Sequence, residues 1–100
     1  MSAPKLSAFP KCYLDDIALG RMELPTWIDM SVELEPEGLE LYSGWLKDTS
    51  PAALARIRRQ AEGHGLPLPM MCHSPDFTEP DPRARQAQVD RQIEMIRATA

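Results

Sequence analysis

Apolar residues follow two rhythms along this chain. Over three short runs (residues 5–9, 38–42 and 68–72) the pattern fits extended strands. Over three longer runs the apolar residues recur every third or fourth position, the period of a helix with one buried stripe. The first helix opens at Leu24-Pro25 behind Glu23, a weak cap. Leu24, Trp27, Ile28 and Leu34 mark its buried side, and Pro36-Glu37-Gly38 ends it. The second begins at Ser50-Pro51 and places Leu54, Ile57 and Ala61 on one face, with Gly63 and Gly65 as its stop. The third begins at Asp81-Pro82 and places Val89, Ile93, Ile96 and Ala100 on one stripe. Ser and Asp accept hydrogen bonds from free N–H groups at a helix start, and proline fits the next position because it has no N–H to leave unpaired.

Strand and helix therefore alternate three times, with strand starts about 30 residues apart, the size of one βα unit. This order predicts an α/β fold with parallel strands and right-handed crossovers. Residues 1–100 read as a single partial domain. Connections from helix to strand are short, at residues 35–37 and 62–66. Connections from strand to helix are longer and more polar, at residues 10–22, 43–49 and 73–80. In parallel α/β folds ligands bind on the second kind of loop, at the C-terminal ends of the strands.

Composition narrows the function classes. Apolar residues make up 43% and charged residues 26%, which fits a folded domain rather than a disordered one. The net charge of −4 and the pI near 5.1 argue against nucleic-acid binding, because only Arg56, Arg58 and Arg59 form a basic stretch. Cys12 and Cys72 make no disulfide framework, and no Cys or His pair has zinc-ligand spacing. The N-terminal ten residues lack the apolar core of a signal peptide, and no run is long enough to cross a bilayer. The expectation is a soluble, cytoplasmic chain without a membrane or nucleic-acid partner.

Four segments carry a resemblance to a known family. They are Phe9-Pro10-Lys11-Cys12-Tyr13, Trp27-Ile28-Asp29-Met30, Gly38-Leu39-Glu40-Leu41-Tyr42 and Cys72-His73-Ser74-Pro75-Asp76-Phe77. In this order they resemble the start of the xylose isomerase-like TIM-barrel superfamily, which includes sugar-phosphate isomerases and epimerases and the endonuclease IV type of apurinic-site nuclease. The resemblance implies the first three βα units of a (β/α)₈ TIM barrel of about 250 residues. It implies the N-terminal portion of a metal-dependent sugar-phosphate isomerase or epimerase acting by proton transfer next to a carbonyl. Its partner would be a small sugar or sugar phosphate, and its divalent metal (Mn, Mg, Co or Zn) would be held by later strands. The alternatives are an apurinic-site endonuclease-like metal hydrolase and a non-catalytic barrel fragment that forms a homo-oligomer. The stretch Arg97-Ala98-Thr99-Ala100 carries no helix stop, which fits a helix cut in mid-run.

Six residues are candidates for substrate binding. His73 closes the third strand and either meets substrate or metal, or bonds a nearby carbonyl. Alternation puts Glu40 on the sheet face opposite Leu39 and Leu41, where a carboxylate either serves sugar hydroxyls and proton transfer or forms a structural ion pair. Lys11 could meet a phosphate from the first βα loop, or be solvated. Tyr42 and Trp45 could stack on a sugar or pack between loops. Asp76 could face substrate or cap its own turn.

Overall fold

The computed structural model describes residues 3–100. The first two positions of the N-terminal segment read above lie outside the described residues. Three parallel strands run in the order β1 (Ser7–Ala8), β2 (Gly38–Tyr42) and β3 (Met70–Cys72). Ser7 pairs with Gly38, and Glu40, Leu41 and Tyr42 pair with Met70, Met71 and Cys72. The expected α/β alternation is present.

Two strands are shorter than the sequence implies, for backbone reasons. Pro69 has no N–H to give to a ladder, so β3 starts at Met70 rather than at residue 68. β1 is an outer strand of the sheet that pairs only across Ser7 and Ala8, and Pro10 follows closely.

The helices are α1 (Leu14–Ala18), α2 (Leu24–Ser31), α3 (Pro51–Gly63) and α4 (Pro82–Thr99). α1 was not expected. It follows a 3₁₀ turn over Lys11–Tyr13 inside the first βα connection. Leu14, Ile17 and Ala18 have helical spacing, Asp15 and Asp16 sit in its first turn, and Gly20 leaves it with φ of 78°. The segment is only five residues long, which hides its period inside a polar loop. Caps at the other helices fall where expected. Ser50 Oγ accepts from the Ala53 N–H at 3.3 Å and Asp81 Oδ2 from the Ala84 N–H at 2.8 Å, while Glu23 makes no capping bond.

All three long helices cover one face of the sheet. Leu39 and Leu41 of β2 are buried there with Leu24, Trp27 and Ile28 of α2 and Ala61 of α3. Met95 of α4 packs near Met71 of β3, which is Leu41's neighbour in register. Two buried-stripe expectations need correction. Leu34 lies in a 3₁₀ turn (Val32–Leu34) rather than in α2, and is exposed. On α4 the buried residue is Met95, while Ile93 and Ile96 are 42% and 60% exposed. The stripe lies toward the outer side of β3, where the described residues place no further strand. Among the described residues no helix is long and apolar enough to cross a membrane.

α2 and α3 are tied at the N-terminal end of the sheet. His64 Nε2 donates to Asp29 Oδ1 at 2.9 Å and Gln60 Nε2 donates to the same oxygen at 3.0 Å. These bonds, His64's first, hold the Asp29 carboxyl below the usual aspartate range. A carboxyl lowered on folding stabilises the fold above its unfolded value, and that support is lost as pH falls through the lowered one. Asp29→Asn should therefore lower stability at neutral pH, with the difference from wild type closing as pH falls through the acid limb, as read by urea midpoints across pH.

The backbone makes a second prediction. Glu35 ends the 3₁₀ turn with φ of 50°, a left-handed conformation that costs a side chain about 1 kcal/mol relative to glycine. Gly65 has φ of 72° and open space around its α-carbon, so an added methyl meets only backbone strain. Glu35→Gly should raise stability by about 0.5–1 kcal/mol and Gly65→Ala should lower it by about 1 kcal/mol. Chemical denaturation measures both.

Candidate functional site

The alternation of β2 creates two sheet faces with different chemistry. Leu39 and Leu41 lie under the helices. Glu40 and Tyr42 lie on the helix-free face, with Ser7 of β1 and Met70 and Cys72 of β3 beside them in register. Glu40 is half-buried and accepts a hydrogen bond from Ser7 Oγ at 2.6 Å. It takes part in no ion pair among the described residues, and its partner is a neutral donor. A hydroxyl can hold a carboxylate in place without neutralising its charge, so Glu40 keeps its capacity as acceptor or base.

Above Glu40, the C-terminal end of the sheet is closed by aromatic rings. Trp45 is buried and donates from Nε1 to the Leu14 carbonyl at 3.1 Å, so the unexpected α1 holds the indole. Phe9 stacks on Trp45 with ring centroids 5.5 Å apart and an interplanar angle of 18°. Tyr42 meets Trp45 edge-on at 5.9 Å. Trp45 is thus a packing pillar, and the half-buried Tyr42 is the ring left at the rim. Tyr42 also folds over Gly44, where any β-carbon would overlap the phenol ring.

His73 takes a different direction. Its Nδ1 lies 2.7 Å from Ser43 Oγ, a bond between the residues that follow β2 and β3. Ser43 is buried. The ring borders a hollow of about 410 Å³ with Met71, Gln92, Met95 and Ile96, on the helix side of the sheet. Nε2 is buried without a partner among the described residues. A proton on Nδ1, donated to Ser43, leaves a lone pair rather than an N–H without a partner at Nε2. His73 and Glu40 therefore lie on opposite faces of the sheet and form no common site.

Lys11 and Asp76 stand apart from both. Lys11 is exposed on the 3₁₀ turn after β1 and makes no ion pair among the described residues. Asp76 is exposed and caps its own turn. Its Oδ1 accepts from Thr78 Oγ1 at 2.6 Å and from the Thr78 N–H at 2.9 Å, bonds that hold its carboxyl below the usual range. Of the six candidates, Glu40 and Tyr42 thus share the helix-free face with Ser7, while Trp45 packs in the core against Tyr42. Ser7 and Ser43 were not singled out from the sequence. Parallel register is the signal that finds them, because it sets Ser7 near Glu40 and Ser43 near His73.

Among the described residues no three His, Cys, Asp or Glu side chains converge as ligands. A cleft of about 500 Å³ lies between α3 and α4 and is lined by Leu54, Ile57, Leu66 and Leu68. It contains none of the six candidates, and it is an apolar gap between helices rather than an extension of the Glu40 site. No family model, curated protein or solved structure matches the chain.

Ser43 should matter for stability more than its size suggests. Ser43→Ala takes away the partner of Nδ1 while Nε2 already has none among the described residues, and should cost about 1–3 kcal/mol, read as a shift in the urea midpoint.

Proposed function

We propose that this chain forms the opening three βα units of a (β/α)₈ barrel that acts as a sugar-phosphate isomerase or epimerase. The observation that carries the reading is Glu40, a carboxylate held by Ser7 on the helix-free sheet face, beneath an aromatic rim at the C-terminal ends of the strands. In a barrel that face is the interior, and this end is where substrates bind. A carboxylate there accepts hydrogen bonds from sugar hydroxyls, and Tyr42 presents a ring to the apolar face of a sugar.

For the reaction, a base removes a proton from carbon next to a carbonyl and returns it to the neighbouring or opposite position. Glu40 is the residue of this chain placed for hydroxyl binding or for a part in that transfer, and Ser7 is its positioning partner. A divalent metal would stabilise an enediolate oxygen in such a reaction. The described residues do not converge to hold one, so no step is assigned through it. Acidic composition favours this reading over the apurinic-site nuclease, which needs a basic rim to meet a phosphate backbone.

The test is exchange of a substrate C–H proton with solvent deuterium, followed by NMR with sugar phosphates and added Mn, Mg, Co or Zn salts, in the protein that carries these units. Glu40→Gln should lower the exchange rate by about 10²-fold or more, and Ser7→Ala by less. Equal exchange with and without Glu40 removes it from the site. The absence of exchange with every sugar phosphate tried removes the isomerase reading.

A further inference from the structure

We infer that His73, Met71 and Met95 form a binding site for a soft monovalent metal ion, Cu(I), beneath α4 on the helix side of the sheet. Met71 and His73 stand two residues apart at the end of β3, so alternation sets both side chains on one face. Met95 of α4 packs onto that face and is fully buried. All three line the hollow of about 410 Å³ beneath the helix.

The imidazole is prepared as a ligand. Its Nδ1 lies 2.7 Å from the Oγ of Ser43, which is itself buried. A histidine that binds a metal through one nitrogen holds its other nitrogen in a hydrogen bond of this kind, which fixes the tautomer and the plane of the ring. With the proton on Nδ1, Nε2 carries a lone pair, and it is buried without a partner among the described residues. Two methionines filling a gap in a core need no metal, but such packing leaves that nitrogen unexplained. A bound ion supplies the partner.

The donors select the ion. Thioether sulfur is a soft, uncharged donor that favours Cu(I), and imidazole accompanies it in copper sites. Among the described residues no Asp, Glu or Cys side chain lines the hollow. Zinc sites draw on thiolate, imidazole and carboxylate, and calcium and magnesium take oxygen. Two sulfurs and one nitrogen cancel no charge, so a buried dication would keep two positive charges where Cu(I) keeps one, and burial penalises the larger charge more. The site lies on the opposite face of the sheet from Glu40. It takes nothing from the isomerase reading, and its measurement needs no sugar, so either can fail without the other.

The test is an anaerobic titration with Cu(I), supplied as its acetonitrile complex and followed by NMR of methyl-labelled methionines. Cys12→Ser and Cys72→Ser are in place throughout, because a free thiol would also take the ion. The expected result is a shift of the Met71 and Met95 methyl signals that saturates at one Cu(I) per chain, while the exposed Met30 and Met70 stay unmoved. Met71→Leu and Met95→Leu should each weaken binding by about tenfold or more, and Met30→Leu should leave it unchanged. Leucine is close to methionine in volume, so each variant keeps the packing, and circular dichroism checks that it does. A titration that moves neither Met71 nor Met95 overturns the inference. So does binding that is as tight after Met71→Leu and Met95→Leu as before.

Discussion

Leu39 and Leu41 occupy alternate positions on the central strand, and most of the structure depends on that spacing. Each is buried under α2 and α3 in one apolar cluster with Trp27 and Ile28. Because a strand's side chains alternate, fixing these two on the helix side fixes Glu40 and Tyr42 on the other. A slip of one residue would place a carboxylate in the apolar layer and two leucines in the open, at a cost no surface contact could recover. Parallel pairing then transmits the choice outward. Ser7 falls beside Glu40 on one flank, and Met71 falls beneath Met95 on the other. The carboxylate that carries the functional reading is therefore positioned by the packing of its two neighbours in the chain.

The second consequence concerns the loops. Trp45 is buried at the end of the sheet only because α1 supplies the Leu14 carbonyl to its indole N–H and because Phe9 stacks on its face. A bulky ring set in this way blocks the C-terminal end of β1 and β2 on the core side. It leaves Tyr42, which Gly44 permits to fold across the turn, as the ring nearest the helix-free face. The first βα connection is thus part of the core packing that positions Tyr42 and not a spacer.

Much of this was legible in the sequence. Proline after Ser50 and Asp81, the glycines near 63 and 65, and the run from Gly38 to Tyr42 locate two helices and the central strand closely. Glu40's face follows from period two alone. What was not legible has three physical sources. Five-residue α1 is too short to display a period. Proline at 69 shortens a strand that composition alone extends. His73 was read as a loop residue at the mouth of a site. Alternation through Met71 and Cys72 carries it instead to the helix side, where Ser43 and α4 enclose it. The residue types were informative in each case, but the deciding fact was register, which a single chain reveals only once its strands are paired.

The misjudged stripe on α4 follows from the same geometry. Val89, Ile93 and Ile96 have the spacing of a buried face, and a helix lying over the middle of a sheet would bury it. α4 follows the last strand, so half of its apolar arc lies over β3 and half extends past the edge. Met95 and Met71 close the first half, and Ile93 and Ile96 belong to the second. α2 shows the same at the other edge, where Met30 extends beyond β1. The sequence pattern is thus correct about which residues are built to be covered. Among the described residues coverage fails beside the two outer strands, and this is why the exposed apolar residues of α2 and α4 fall on those two flanks.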